Sequence, residues 1–118
     1  MTTREPPRLL SVTWVKNGRE QDFEAFIRDA IVPAVRKERP HLIGQWQGYR
    51  PEDDLHGDDT RAYVFLFYGD APLDDWDVDT LLTDALGEDE GQKRMQEWVS
   101  MIEGEQTNIY VADEIASN

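Results

Sequence analysis

His41 and His56 are the chain's two imidazoles, and chemistry can be written for each. His41 follows Pro40 directly at the start of a strand-like run, where a general base or a substrate-orienting donor can reach the mouth of a cavity. The simpler reading is a surface turn histidine. His56 stands among Glu52, Asp53, Asp54, Asp58 and Asp59, and carboxylates with one imidazole can bind a divalent cation. Their spacing fits no calcium loop, and a solvated acidic connection explains the same residues, so no metal site is assigned. A third set alternates along strand-like runs: Thr13, Gln45, Gln47, Tyr63, Phe65, Phe67, Asn108 and Tyr110. Its amides can hold an enolate or carbonyl oxygen, its phenols can donate, and its rings can wall a ligand pocket. The same residues would also serve as strand packing or subunit contacts.

The elements that must position these groups come next. Leu10, Val12 and Trp14 alternate with Ser11 and Thr13, which makes Leu9 to Val15 the first strand. Phe23, Phe26, Ile27, Ala30, Ile31, Ala34 and Val35 repeat at helical spacing, with Asp22 or Gln21 to open the helix and Pro40 to stop it. Pro33 inside that stripe removes a backbone hydrogen bond and predicts a bend. Leu42 to Tyr49 and Arg61 to Tyr68 read as the second and third strands, joined by the acidic stretch 50–60. After a turn region, Leu81, Leu82, Ala85 and Leu86 form a short helical patch ended by Gly87. Met95, Trp98, Val99 and Ile102 then mark the second main helix, with Asp89 as its N-cap and Gly104 beyond its end. Thr107 to Ala112 is the fourth strand. Residues 1–8 form a loose lead-in and 113–118 a tail.

This order, strand, helix, strand, strand, helix, strand, defines an α+β fold with a four-stranded antiparallel sheet and both helices on one face. The 118 residues make a single domain, 1–118, with 39% hydrophobic and 10% aromatic residues available for one core. The expected helix-covered face is the aliphatic set Leu10, Val12, Leu42, Gly44, Val64, Leu66, Ile109 and Val111. The aromatic and amide set then lies on the open face, too apolar for water alone, and a second copy of the chain covers it.

Composition removes several kinds of function. The absence of cysteine excludes disulfides, zinc–thiolate sites, iron–sulfur ligation and a thiol nucleophile. Twenty-five acidic against 12 basic residues give a net charge of −13, a field that repels phosphate backbones and anionic lipid. Nucleic acid and membrane are therefore poor partners. No apolar run approaches the roughly 20 residues of a membrane helix. The opening Met1-Thr2-Thr3-Arg4-Glu5-Pro6-Pro7 shows no apolar signal region, and a cytoplasmic protein is expected. There is no Gly-rich phosphate loop.

With Phe23-Glu-Ala-Phe26, Ile31-Val-Pro33-Ala-Val35, Gly87 and Gly91-Gln92 in that element order, residues 8–115 resemble the dimeric α/β-barrel superfamily of ferredoxin-like proteins. That group includes antibiotic-biosynthesis monooxygenases and muconolactone isomerase-like proteins. The resemblance implies a homodimer with an active site between the sheet and the first helix. Haem-binding barrels of this kind use a histidine on the second helix, and 81–103 holds none. No cofactor is expected. The function expected is cofactor-independent monooxygenation or isomerisation of a ring-bearing, small aromatic or polyketide-like molecule, with His41 as the catalytic candidate. The alternative is a non-catalytic ligand-binding or structural homodimer.

Overall fold

A long antiparallel pair forms the centre of the sheet. β1 (Leu9–Lys16) and β3 (Thr60–Phe67) run side by side over eight residues each, from Leu9 opposite Phe67 to Lys16 opposite Thr60. The computed structural model describes residues 7–52, 60–104 and 106–110. Two short edge strands complete the sheet: β2 (Trp46–Tyr49) on β3 and β4 (Thr107–Tyr110) on β1. The order β2-β3-β1-β4, antiparallel throughout, is that of an open α+β ferredoxin-like sheet.

The first helical stretch comes in three contiguous pieces: α1 (Glu20–Phe26), a π-helical turn (Ile27–Ile31) and α2 (Val32–Glu38). Pro33 has no N–H to donate, and its ring excludes the carbonyl four residues earlier. The π turn lies immediately before it, with the Val32 N–H bonded to the Ile27 carbonyl, and this is the form the expected bend takes. Phe23, Phe26, Ala30, Ile31, Ala34 and Val35 of the predicted stripe are buried. The helix opens at Glu20, slightly earlier than Asp22 or Gln21 would place it.

α3 (Val78–Leu86) starts at Asp77, whose carboxylate accepts from the Thr80 N–H at 3.0 Å and the Thr80 hydroxyl at 2.6 Å. A cap of this kind contributes about 1 kcal/mol. Gly87, at φ +88°, then turns the chain directly into α4 (Glu88–Met101). Gly87 therefore occupies the N-cap position expected for Asp89. The buried side of α4 carries Gly91, Trp98 and Met101, whereas Val99 of the predicted stripe is 55% exposed. Lys37 donates to the Ala85 carbonyl at 2.8 Å and ties α2 to the end of α3, where cations suit the free carbonyls.

The second strand is shorter than expected. Pro40–Leu42 is a 3-10 turn that buries Leu42, and Gly44 adopts φ +79°, so pairing begins only at Trp46. Leu42 and Gly44 thus lie outside the sheet.

The larger correction concerns which side of the sheet is covered. β1 alternates strictly, with Leu9, Ser11, Thr13 and Val15 buried and Leu10, Val12, Trp14 and Lys16 half-buried. The register places Phe65 opposite Ser11 and Tyr63 opposite Thr13, and both rings are buried. The aromatic face is therefore sealed by the chain's own helices, and the aliphatic face of Leu10, Val12, Val64 and Leu66 is the side without helices. The reason is steric. The helices bring Phe23, Phe26 and Trp98 down onto the sheet, and the small side chains of Ser11 and Thr13 leave room for them. Phe23 packs on Tyr63 at 4.9 Å between ring centroids and on Trp98 at 5.3 Å.

Candidate functional site

Between the sheet and the helices lies a cavity of about 570 Å³, within the usual range for small-molecule sites. Its sheet wall consists of Leu9 and Ser11 from β1, Phe65 and Phe67 from β3, Trp46 from β2, and Asn108 and Tyr110 from β4. Opposite stand Ile31 and Val35 from the first helical stretch and Met95 and Trp98 from α4. The 3-10 turn Leu73–Trp76 and the start of α3 form the mouth, including Asp74, Asp75, Asp77 and Asp79. Phe67 and Trp76 pack at 4.6 Å and Trp46 and Phe65 at 6.4 Å, so a sheet-borne ring meets a ring from the mouth or the edge strand.

The polar lining residues are the four aspartates and Thr80 at the mouth, with Ser11, Gln106, Asn108 and Tyr110 beside the sheet. Ser11 is 2% exposed, and its hydroxyl has no hydrogen-bond partner among the described residues. An enclosed hydroxyl left unpaired costs roughly 1–3 kcal/mol. Gln106, also in the wall, donates to the Thr13 hydroxyl at 2.8 Å. No lysine, arginine or histidine is among the described wall residues. A second polar cluster lies at one end of the sheet. There the Glu24 carboxylate accepts from the Tyr63 hydroxyl at 2.6 Å and from Arg50 at 2.9 Å. The Arg50 bond first, then that of Tyr63, holds Glu24 below the usual carboxylate range. Burial first, then the bond to Glu24, pushes the Tyr63 phenol above its ordinary value.

The residues picked from the sequence fall into distinct places. Phe65, Phe67, Asn108 and Tyr110 line the cavity. Thr13 is fully buried and adjoins it through Gln106. Tyr63 shares the same face but is committed to Glu24. Gln47 pairs with Leu66 and projects on the opposite side, where its carbonyl accepts from the Tyr49 hydroxyl at 2.8 Å. Gln45 precedes β2, and its side chain lies against Gly69. His41 stands outside the mouth on the Pro40–Leu42 turn and pairs with Asp75 at 2.7 Å; Asp75 rather than the imidazole lines the cavity. His56 lies outside the described residues.

Sequence reasoning missed Trp76, Trp98 and the rest of the Leu73–Asp79 rim as cavity residues, whereas Ser11 and Trp46 line it as their pocket-side reading expects. Trp46, read from the sequence as able to shape an edge of the pocket, pairs with Phe67, so both side chains share a face. The rim followed Pro72 as an apparent turn, and only the packing of α3 brings it over the sheet.

Among the described residues no cluster of three or more histidine, aspartate or glutamate side chains is arranged to hold a metal, and no helix is long and apolar enough to cross a membrane. No protein-family model matches the chain, and no curated protein or solved structure matches it either.

Proposed function

We propose that this protein binds a ring-bearing small molecule in the cavity between its sheet and helices and works as a homodimer of the dimeric α/β-barrel, antibiotic-biosynthesis-monooxygenase-like kind. The observation that carries the reading is the 570 Å³ space walled by Trp46, Phe65, Phe67, Trp76 and Trp98. Aromatic walls bury a flat ligand with favourable ring contacts. The dimer is supported by the helix-free side of the sheet, where Leu10, Val12, Val64 and Leu66 stay half-buried and Ile109 is 53% exposed. Such a face is stabilised by removing it from water.

In its catalytic form the reading is a cofactor-independent oxygenation or isomerisation. An anthrone-type ring that loses a proton can pass an electron to oxygen, and recombination with loss of water leaves the ketone. The protein supplies a dry, oriented cavity, and Asp75, held by His41, is a carboxylate at the mouth that can take a proton. Ligand binding without turnover is the second reading, favoured by the lack of any imidazole or amine among the described wall residues.

Incubation with anthrone and quinol substrates under air, followed by oxygen uptake and by calorimetric titration, separates these outcomes. Uptake above the buffer control indicates turnover, and heat of binding without uptake indicates the second reading. Absence of both for a range of ring systems removes the proposal.

A further inference from the structure

Apart from the enclosed Ser11 hydroxyl and that of Thr80, which donates to Asp77, the amide and hydroxyl side chains of the cavity wall belong to one strand: Asn108 and Tyr110 of β4, with Gln106 just before it. Alternate residues of a strand share a face, so the three form a row about 13 Å long on the cavity side of the sheet. Gln106 gives its amide N–H to the Thr13 hydroxyl at 2.8 Å, which leaves its side-chain carbonyl as an acceptor. Asn108 is exposed, lines the cavity, and has neither end of its amide paired among the described residues. Asn108 stands opposite Ser11 on β1, and Ser11 opposite Phe65 on β3, so two strand spacings, about 10 Å, separate the amide from that ring. The span suits a fused two-ring system laid across the small Ser11, with Met95 and Trp98 of the opposite wall over it.

Resting on the reading of this cavity as a ligand site, we infer that its ligand is an uncharged, flat ring system with a lactam-type edge, an N–H beside a C=O, that pairs with the Asn108 amide. A carboxamide presents its donor and acceptor side by side in one plane, and a ring lactam meets both at once, as asparagine meets the donor and acceptor edge of adenine. A ketone or lactone of the same shape answers only the donor and leaves the Asn108 and Gln106 carbonyls facing a ligand with no hydrogen to give. The ligand edge is neutral because Gln106 to Tyr110 carries no charged side chain to pair with an ionised group.

Calorimetric titration with 2-quinolone and coumarin tests this, since the two bicycles differ only in the ring N–H of the first, which is an oxygen in the second. 2-Quinolone should bind roughly threefold to tenfold more tightly. Asn108→Ala should bring the two within about twofold by weakening 2-quinolone while coumarin still binds, and Asn108→Leu, of similar size without the polar ends, should do the same. Equal affinities in the natural protein, or a preference for 2-quinolone that survives both variants, overturn the inference, while coumarin binding leaves the ligand site standing. If neither bicycle binds, the inference and the reading beneath it both fall.

Discussion

Gly91 sits where α4 crosses α3, and replacing it with alanine opposes two effects of known size. In an isolated helix the change is favourable by about 1 kcal/mol, because glycine forfeits more backbone entropy than alanine. Here an added Cβ would lie 2.8 Å from the Thr83 Cα, 3.0 Å from the Thr83 nitrogen and 3.1 Å from the Leu82 carbonyl oxygen. All three are main-chain atoms of α3, so no side chain can swing away, and the helices must separate by several tenths of an ångström. Overpacking of a tight contact costs roughly 1–3 kcal/mol; against main-chain atoms alone the upper part of that range applies, about 2–3 kcal/mol, and it outweighs the propensity gain. Gly91→Ala should therefore destabilise the protein by about 1–2 kcal/mol, a fall in Tm of about 3–8 °C for a chain of this length. Urea unfolding followed by tryptophan fluorescence measures it, with Gln96→Ala on the exposed side of α4 as the control, expected within about 0.5 kcal/mol of the natural sequence. A Gly91→Ala protein as stable as the natural one refutes the close approach of α3 and α4, and with it the position of the cavity mouth.

Gly48→Ala acts on the cavity wall itself. Its Cβ would stand 2.8 Å from the Phe65 ring, which must rotate into the ligand space, so affinity for a ring probe should fall by more than the stability does. The Glu24 and Tyr63 cluster makes stability pH-dependent at both ends. Glu24 is depressed in the folded state, so its contribution is present above the unfolded carboxylate value and is lost as pH falls through the native one; Glu24→Gln should flatten the acid limb of a stability–pH curve. Tyr63 is raised, so its contribution is complete below the unfolded phenol value and is lost as pH climbs toward the native one. Phenolate absorbance should show a late ionisation, and Tyr63→Phe should abolish that late step. Val64→Glu with Leu66→Glu should yield a folded monomer in sedimentation, with native circular dichroism; a dimer that survives both charges rules out the helix-free face as the contact.

The parities within each strand are legible in the sequence alone. Ser11, Thr13, Tyr63, Phe65, Phe67, Asn108 and Tyr110 do share one side of the sheet, because pleating alternates side chains whatever lies above them. Gln45 and Gln47 do not join them, because phase between strands is set by pairing register. The positive φ of Gly44 breaks the run from which that phase had been carried. The element order, the aromatic stripe of the first helical stretch and the turn at Gly87 were equally local, written in spacing and in backbone-permissive residues.

Which side the helices would occupy was decided only in three dimensions. Aliphatic character was a poor guide, since the half-buried helix-free face of Leu10, Val12, Val64 and Leu66 is as oily as a core, while the inward β1 positions beneath Phe23, Phe26 and Trp98 hold the small Ser11 and Thr13 that make room for those rings. The cavity is likewise a tertiary product. It exists where the short β4 and the Leu73–Trp76 turn leave the gap between sheet and helices unfilled, a property of summed volumes that no stretch of sequence carries alone. Sequence periodicity fixes the direction of each side chain relative to its own strand or helix; the packing of one element on another fixes what that side chain faces.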